Sequence, residues 1–112
     1  MSVSGNYSMI LNGAENPIKV DFLSLKKSAV ILRALNHKLR QQIVKIIDEK
    51  QKVTVTEIYI QLRLEQSVAS QHLAILRRAG IVTTTRDGKY IYYTIDPKRI
   101  QQIMTCVESL IA

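Results

Sequence analysis

The sequence predicts a mainly α-helical chain with one small β-hairpin, in the order α-α-α-α-β-β-α. Three observations predict it. Apolar residues recur at helical spacing in four segments before Gly80 and again after Pro97, a period-two run brackets Asp87 and Gly88, and only Arg63, Leu64 and Glu65 separate two of the helical segments.

Residues 1–17 carry Ser2, Ser4, Gly5, Asn6, Ser8, Asn12, Gly13 and Asn16, with Glu15 their only charged side chain. This composition reads as a flexible N-terminal arm, with residues 18–112 as the folded domain. Tyr7, Met9, Ile10 and Leu11 leave open whether the arm packs on the body, packs on a second subunit or stays disordered. From Asp21, an available N-cap, Phe22, Leu25, Ala29 and Leu32 follow i, i+3, i+7, i+10, which predicts a first helix to about Leu35. Leu39, Ile43, Ile46 and Ile47 predict a second helix ending near Glu49, and His37 falls at the junction, where a cap or local contact is expected. Thr54 and Glu57 have capping-box spacing, so a short third helix runs from about Val55 to Leu62.

A fourth helix spans Gln66 to Ala79 and ends at Gly80, the place of a C-terminal glycine. Asp87-Gly88, between Val82–Arg86 and Lys89–Ile95, predicts a hairpin with a type I′ turn, whose two central residues both need positive φ. Asp96 as N-cap and Pro97 at the first position start the last helix, with Ile100, Ile103, Val107 and Leu110 on its apolar stripe. A tight helix pair followed by a hairpin and a closing helix describes a winged helix-turn-helix.

At 112 residues there is room for one ordinary core, and 46% hydrophobic with 22% charged residues is a globular composition. The apolar run Ala29–Leu32 is far too short to span a bilayer. No secretory signal pattern opens the chain and Cys106 is the single cysteine, so a reducing, cytoplasmic location is expected, with no disulfide framework. Sixteen Lys and Arg against nine Asp and Glu leave a formal charge of +7, which suits a polyanionic partner without proving one.

The fourth helix is the informative one. At 100° per residue, Ala69, Leu73, Leu76 and Gly80 fall within a sector of about 60° and must face the core. The opposite sector collects Gln66, Ser67, Ser70, Gln71, Ala74, Arg77 and Arg78, without one acidic residue. Its small members allow close approach to a groove floor, the glutamines suit adenine edges, and the arginines reach phosphates. Arg86 and Lys89 bracket the hairpin turn and would carry two cations to a minor groove or phosphate row. His72 falls beside Val68 and Ala79 at the core margin, which predicts a packed, hydrogen-bonded imidazole rather than a ligand.

Three stretches, Ala34–Ile43, Gln66–Ile81 and Arg86–Tyr93, resemble the arsenical-resistance-repressor (ArsR) family of bacterial winged-helix regulators, the likeness covering about Val30 to Ile95. Lys38 departs from the proline frequent in members. The resemblance implies base-reading positions at Gln66, Ser67, Ser70 and Gln71 and wing contacts at Arg86 and Lys89, the same residues the helical angles select. It also implies a homodimer through the terminal helices, here by Phe22, Leu25, Ile100, Ile103, Met104, Val107 and Leu110, with repression as the mode of action. Two recognition helices would then meet successive major grooves of double-stranded DNA about 34 Å apart.

Many members bind a metal through a Cys-x-Cys pair at the start of the third helix; this chain has Val53, Thr54, Val55, Thr56, Glu57 and Ile58 there, and hydroxyls bind soft ions poorly. No histidine follows His72, so the family's alternative site on the last helix is also missing. The expectation is therefore no metal, no cofactor and no assignable effector. Cys106 reads as a small hydrophobe at the dimer interface, or as a redox pair if two copies face each other. The competing function is a winged-helix module that binds protein. Catalysis is not expected, because no GxSxG, phosphate loop, HExxH or paired Cys and His occurs.

Overall fold

The computed structural model describes residues 2–4 and 7–112, with side chains from Tyr7 onward. The chain divides into two compact units, Met1–Leu32 and Arg33–Ala112.

In the first unit three strands, β1 (Ser2–Ser4), β2 (Ser8–Leu11) and β3 (Ile18–Asp21), form an antiparallel sheet in sequential order. Ser4 pairs with Ser8, and Met9 with Val20. The composition reads residues 1–17 as a flexible arm with its packing open, whereas the structure places strands within it; Gly5 and Asn6 lie outside the described residues. The reason is visible in the pairing. Met9, Ile10 and Leu11 lie opposite Val20, Lys19 and Ile18, and strand propensity plus cross-strand contact outweighs the polar link at 12–17. Helix α1 (Phe22–Leu35) follows directly, its amide at Ser24 donating to Asp21 Oδ1 at 3.1 Å.

The second unit takes in the last turn of α1, then α2 (Lys38–Lys50), α3 (Val55–Leu62), α4 (Gln66–Arg78), β4 (Val82–Asp87), β5 (Tyr90–Ile95) and α5 (Pro97–Ile111). Its core is aliphatic: Ile43 and Ile47 of α2, Ile58 of α3, Leu73 and Leu76 of α4, and Val53 and Ile81 between elements are fully buried. Each such side chain contributes about 1.5–3 kcal/mol relative to an exposed one.

The caps explain the boundaries. His37 Nδ1 accepts from the amides of Leu39 at 3.1 Å and Arg40 at 3.4 Å, starting α2. Thr54 Oγ1 accepts from the Glu57 amide at 3.3 Å, but the Glu57 carboxylate takes the Thr54 hydroxyl and a 3.9 Å ion pair with Lys50. The reciprocal half of the expected capping box is thus diverted to a neighbouring cation. At the end of α4 the Gly80 amide donates to Arg77 and the Ile81 amide to Leu76, the two bonds of a Schellman cap, with Gly80 at φ 77°. Asp96 Oδ1 accepts from Lys98 and Arg99 at 3.1 and 3.2 Å, and Pro97 opens α5.

The hairpin differs by one residue from expectation. Asp87 pairs with Tyr90, so Gly88 and Lys89 form the turn. Only Gly88, at φ 63°, is left-handed, which is the demand of a type II′ turn and not of I′. Glycine at the first central position selects that type, and Asp87 stays extended within the ladder.

Candidate nucleic-acid interface

The interface is built on α4 and the hairpin. Arg63 at φ 55° closes α3 with the Leu64 amide on Tyr59 O at 2.9 Å, and α4 begins three residues later. This tight turn packs α4 on α3. Ala69, Leu73 and Leu76 are wholly buried beneath it, whereas Gln66, Ser67, Ser70, Gln71, Ala74, Arg77 and Arg78 are all exposed. The acid-free sector thus forms one solvent-facing surface. Glu65, the N-cap, makes no side-chain capping bond and places a carboxylate at the N-terminal end, where it offsets the helix dipole's attraction for anions. Cationic character therefore concentrates at the C-terminal end.

There, Ser70, Ala74, Arg77 and Arg78 share an open depression of about 440 Å³ with Tyr93 of β5. Neither arginine forms an ion pair among the described residues. Arg86 and Lys89 are exposed near the hairpin tip, with Arg86 Nε donating to Gly88 O at 3.2 Å and Lys89 Nζ 5.4 Å from the Tyr90 ring centroid. Lys52 similarly stands 4.7 Å over Tyr92.

Arg40 was not among the expected functional residues. It is 7% exposed, and its guanidinium donates to Ala34 O at 2.6 Å, Arg33 O at 3.0 Å and His72 Nδ1 at 3.3 Å. His72 is therefore the packed, hydrogen-bonded imidazole expected of it, and His37 stacks beside it with ring centroids 5.1 Å apart. Burial, followed by repulsion from His37 and Arg40, lowers the His72 pKa. The signal for Arg40 was its spacing: it stands three and seven residues before Ile43 and Ile47, on the apolar stripe.

Of the apolar residues expected at a dimer interface, Leu25 and Leu110 are 57% and 74% exposed, while Ile103 at 6% is part of the subunit's own core. Phe22 and Met104 are exposed, and Ile100 and Val107 half-buried. Cys106 is exposed rather than buried within the chain. Among the described residues no three His, Cys, Asp or Glu side chains form a metal-binding group, and no helix is long and apolar enough to cross a membrane.

Residues 37–84 match the family model for bacterial regulatory proteins of the arsR family. The transcriptional repressor PagR of Bacillus anthracis is 33% identical over 86 residues, covering 77% of this chain and 86% of that protein. This chain belongs to the ArsR family. The transcriptional activator HlyU of Vibrio cholerae is 32% identical over 84 residues, 75% of this chain and 77% of that protein. Among solved structures, PagR superposes with a TM-score of 0.60 at 33% identity, covering 77% of this ArsR-family chain and 99% of that one. HlyU of Vibrio vulnificus gives 0.58 at 34% identity, covering 80% and 93%. The mainly helical fold with its antiparallel hairpin is the winged helix-turn-helix of these neighbours, and this ArsR-family member is a DNA-binding transcriptional regulator, not a member of an enzyme family.

Proposed function

We propose that the protein is a homodimeric, cytoplasmic repressor that occupies operator DNA with α4 in the major groove and the hairpin on the adjacent minor groove or backbone. The observation that carries this reading is the division of α4 into a buried aliphatic side and an exposed side, Gln66 to Arg78, with no acidic residue. Gln66, Ser67 and Gln71 read base edges, Arg77, Arg78, Arg86 and Lys89 hold phosphates, and Ser70 lies on the same face between the two sets. Dimerisation follows from the exposed apolar residues of α1 and α5, among them Phe22, Leu25, Met104 and Leu110, which a monomer leaves in water. Repression is the mode named for PagR, whereas HlyU is named an activator. The regulator uses no metal, since the α3 start offers the Thr54 hydroxyl, already committed to its cap, in place of thiolates. Stoichiometric zinc or arsenite uptake by dialysed protein contradicts that point.

Selection of bound duplexes from a random pool at physiological salt tests the reading. Enrichment of a near-palindrome with half-sites about one helical turn apart supports it. Retention of no DNA overturns it in favour of a protein-binding module. A reporter with the recovered operator inside its promoter then reads the sign of regulation.

A further inference from the structure

The depression between the second half of α4 and β5 contains a residue to which neither helical periodicity nor the family likeness assigned a role. Tyr93 pairs with Thr84 across the hairpin, and its backbone is also clamped on the other edge of β5. Its amide donates to Val53 O at 2.7 Å, and the Val53 amide donates to Tyr93 O at 3.1 Å. Val53 is fully buried, so Tyr93 is anchored through both of its backbone groups, and its side-chain direction is set by the pleat. That direction follows from the register. Val82 with Ile95, Thr84 with Tyr93, and Arg86 with Ile91 share one face of the hairpin. The Val82 end of this face is buried, the middle is half-buried, and the Arg86 end is exposed. Tyr93 thus stands where the face leaves the core and turns toward α4, two residues inward from the pair that holds Arg86.

On the α4 side, Ser70, Ala74 and Arg77 are spaced i, i+4 and i+7, a single row along the helix, with Arg78 beside it. The lining therefore consists of two hydroxyl groups, two arginines without a carboxylate partner among the described residues, and an alanine small enough to admit a bulky group. Hydroxyl donors next to unpaired guanidinium groups suit a tetrahedral, singly charged oxyanion. Glu65 at the far end of α4 opposes such an anion there and leaves this end as the favoured one.

We propose that this depression is a seat for one phosphodiester of the DNA backbone, with the Tyr93 hydroxyl as a direct donor and Ser70 turned to the backbone rather than to a base edge. The inference rests on the DNA-binding reading above and deepens it. The seat continues along the hairpin face to Arg86, so the strand backbone runs from the end of α4 toward the wing. Tyr93 is a positioning contact: it fixes register on the duplex and carries no sequence information.

Tyr93→Phe removes only the hydroxyl and leaves the ring, the ladder bonds with Val53 and the packing intact. Binding of the selected operator and of an unrelated duplex is measured for the wild type, Tyr93→Phe and Ser70→Ala. A series of operators, each with one neutral methylphosphonate, is run in parallel. The expected result is a 3- to 10-fold weaker affinity for each variant on both duplexes, the size of one net hydrogen bond. The salt slope stays unchanged because no charge is removed, and thermal stability matches the wild type. One methylphosphonate position weakens the wild type by more than it weakens Tyr93→Phe, whose remaining loss there comes from the two arginines. Equal affinity of Tyr93→Phe and wild type for both duplexes overturns the seat while leaving DNA recognition standing. So does a loss in Ser70→Ala restricted to one base position, as a base-reading serine would give. A wild type that retains no DNA overturns the DNA-binding reading itself.

Discussion

Arg40 of α2 donates through Nη1 to Nδ1 of His72 on α4 at 3.3 Å, a bond that joins α4 to α2. Arginine has no acceptor, so Nδ1 must present a lone pair and the imidazole is neutral, with its proton on Nε2. Protonation would set an N–H against the guanidinium. Because the folded pKa of His72 is lowered, the unfolded chain binds the proton more readily. Stability from this group is fully present above the ordinary value of 6.5, declines as pH falls from there to the lowered folded value, and changes no further below it. Urea midpoints between pH 7.5 and 5.5 should therefore fall with acidification. His72→Gln, which keeps an acceptor that does not titrate, should flatten that fall; an unaltered slope would assign it to another group.

Arg40 itself carries more than the histidine contact. Arg40→Met fills similar volume but leaves the carbonyls of Ala34 and Arg33 without their donor. A loss of about 2–3 kcal/mol in denaturant unfolding is expected, since buried acceptors then bear their desolvation cost. A change under about 0.5 kcal/mol would mean that water replaces the guanidinium.

The two positive-φ glycines among the described residues, Gly80 and Gly88, separate backbone strain from crowding. A Cβ at Gly88 meets nothing within 4 Å, whereas one at Gly80 comes within 3.2 Å of Arg99 Nε, which itself donates to Ala79 O at 2.9 Å. Gly88→Ala should cost about 1 kcal/mol from conformation alone. Gly80→Ala should cost more, because it also displaces the Arg99 link between α5 and the end of α4. Equal costs in thermal unfolding would show that the Arg99 side chain yields freely.

Salt dependence measures the arginines. If Arg77 and Arg78 each hold a phosphate, alanine at either should lower the slope of log affinity against log salt by about 0.9. The loss should be similar for operator and unrelated duplex. A slope equal to that of the wild type would move that arginine off the backbone.

Two apolar positions on α5 should respond in opposite ways. Ile103, buried in its own subunit, should lose about 2–4 kcal/mol of folding stability as Ile103→Ala. Leu110, 74% exposed, should fold normally as Leu110→Glu but sediment as a monomer if its stripe is the dimer seam. A dimer that survives Leu110→Glu would place the seam elsewhere.

Local chemistry was legible in the chain. Periodicity located α1 to α5, Asp96-Pro97 and Gly80 located two boundaries, and the angular positions of Ala69, Leu73 and Leu76 located the buried side of α4, all within a residue or so of the structure. These signals lie within one turn of helix or one strand repeat, so no folded partner is needed to read them. What required the tertiary structure was pairing between distant residues. The strands at 2–4, 8–11 and 18–21 depend on one another, and the type II′ turn depends on the Asp87–Tyr90 pair. Arg40 meets His72 across 32 positions, and Tyr93, bonded through its backbone to Val53, lines one depression with the α4 row. A sequence displays which residues can donate, accept or charge a surface; which of them share a site is settled by long-range packing and register, which have no local signature.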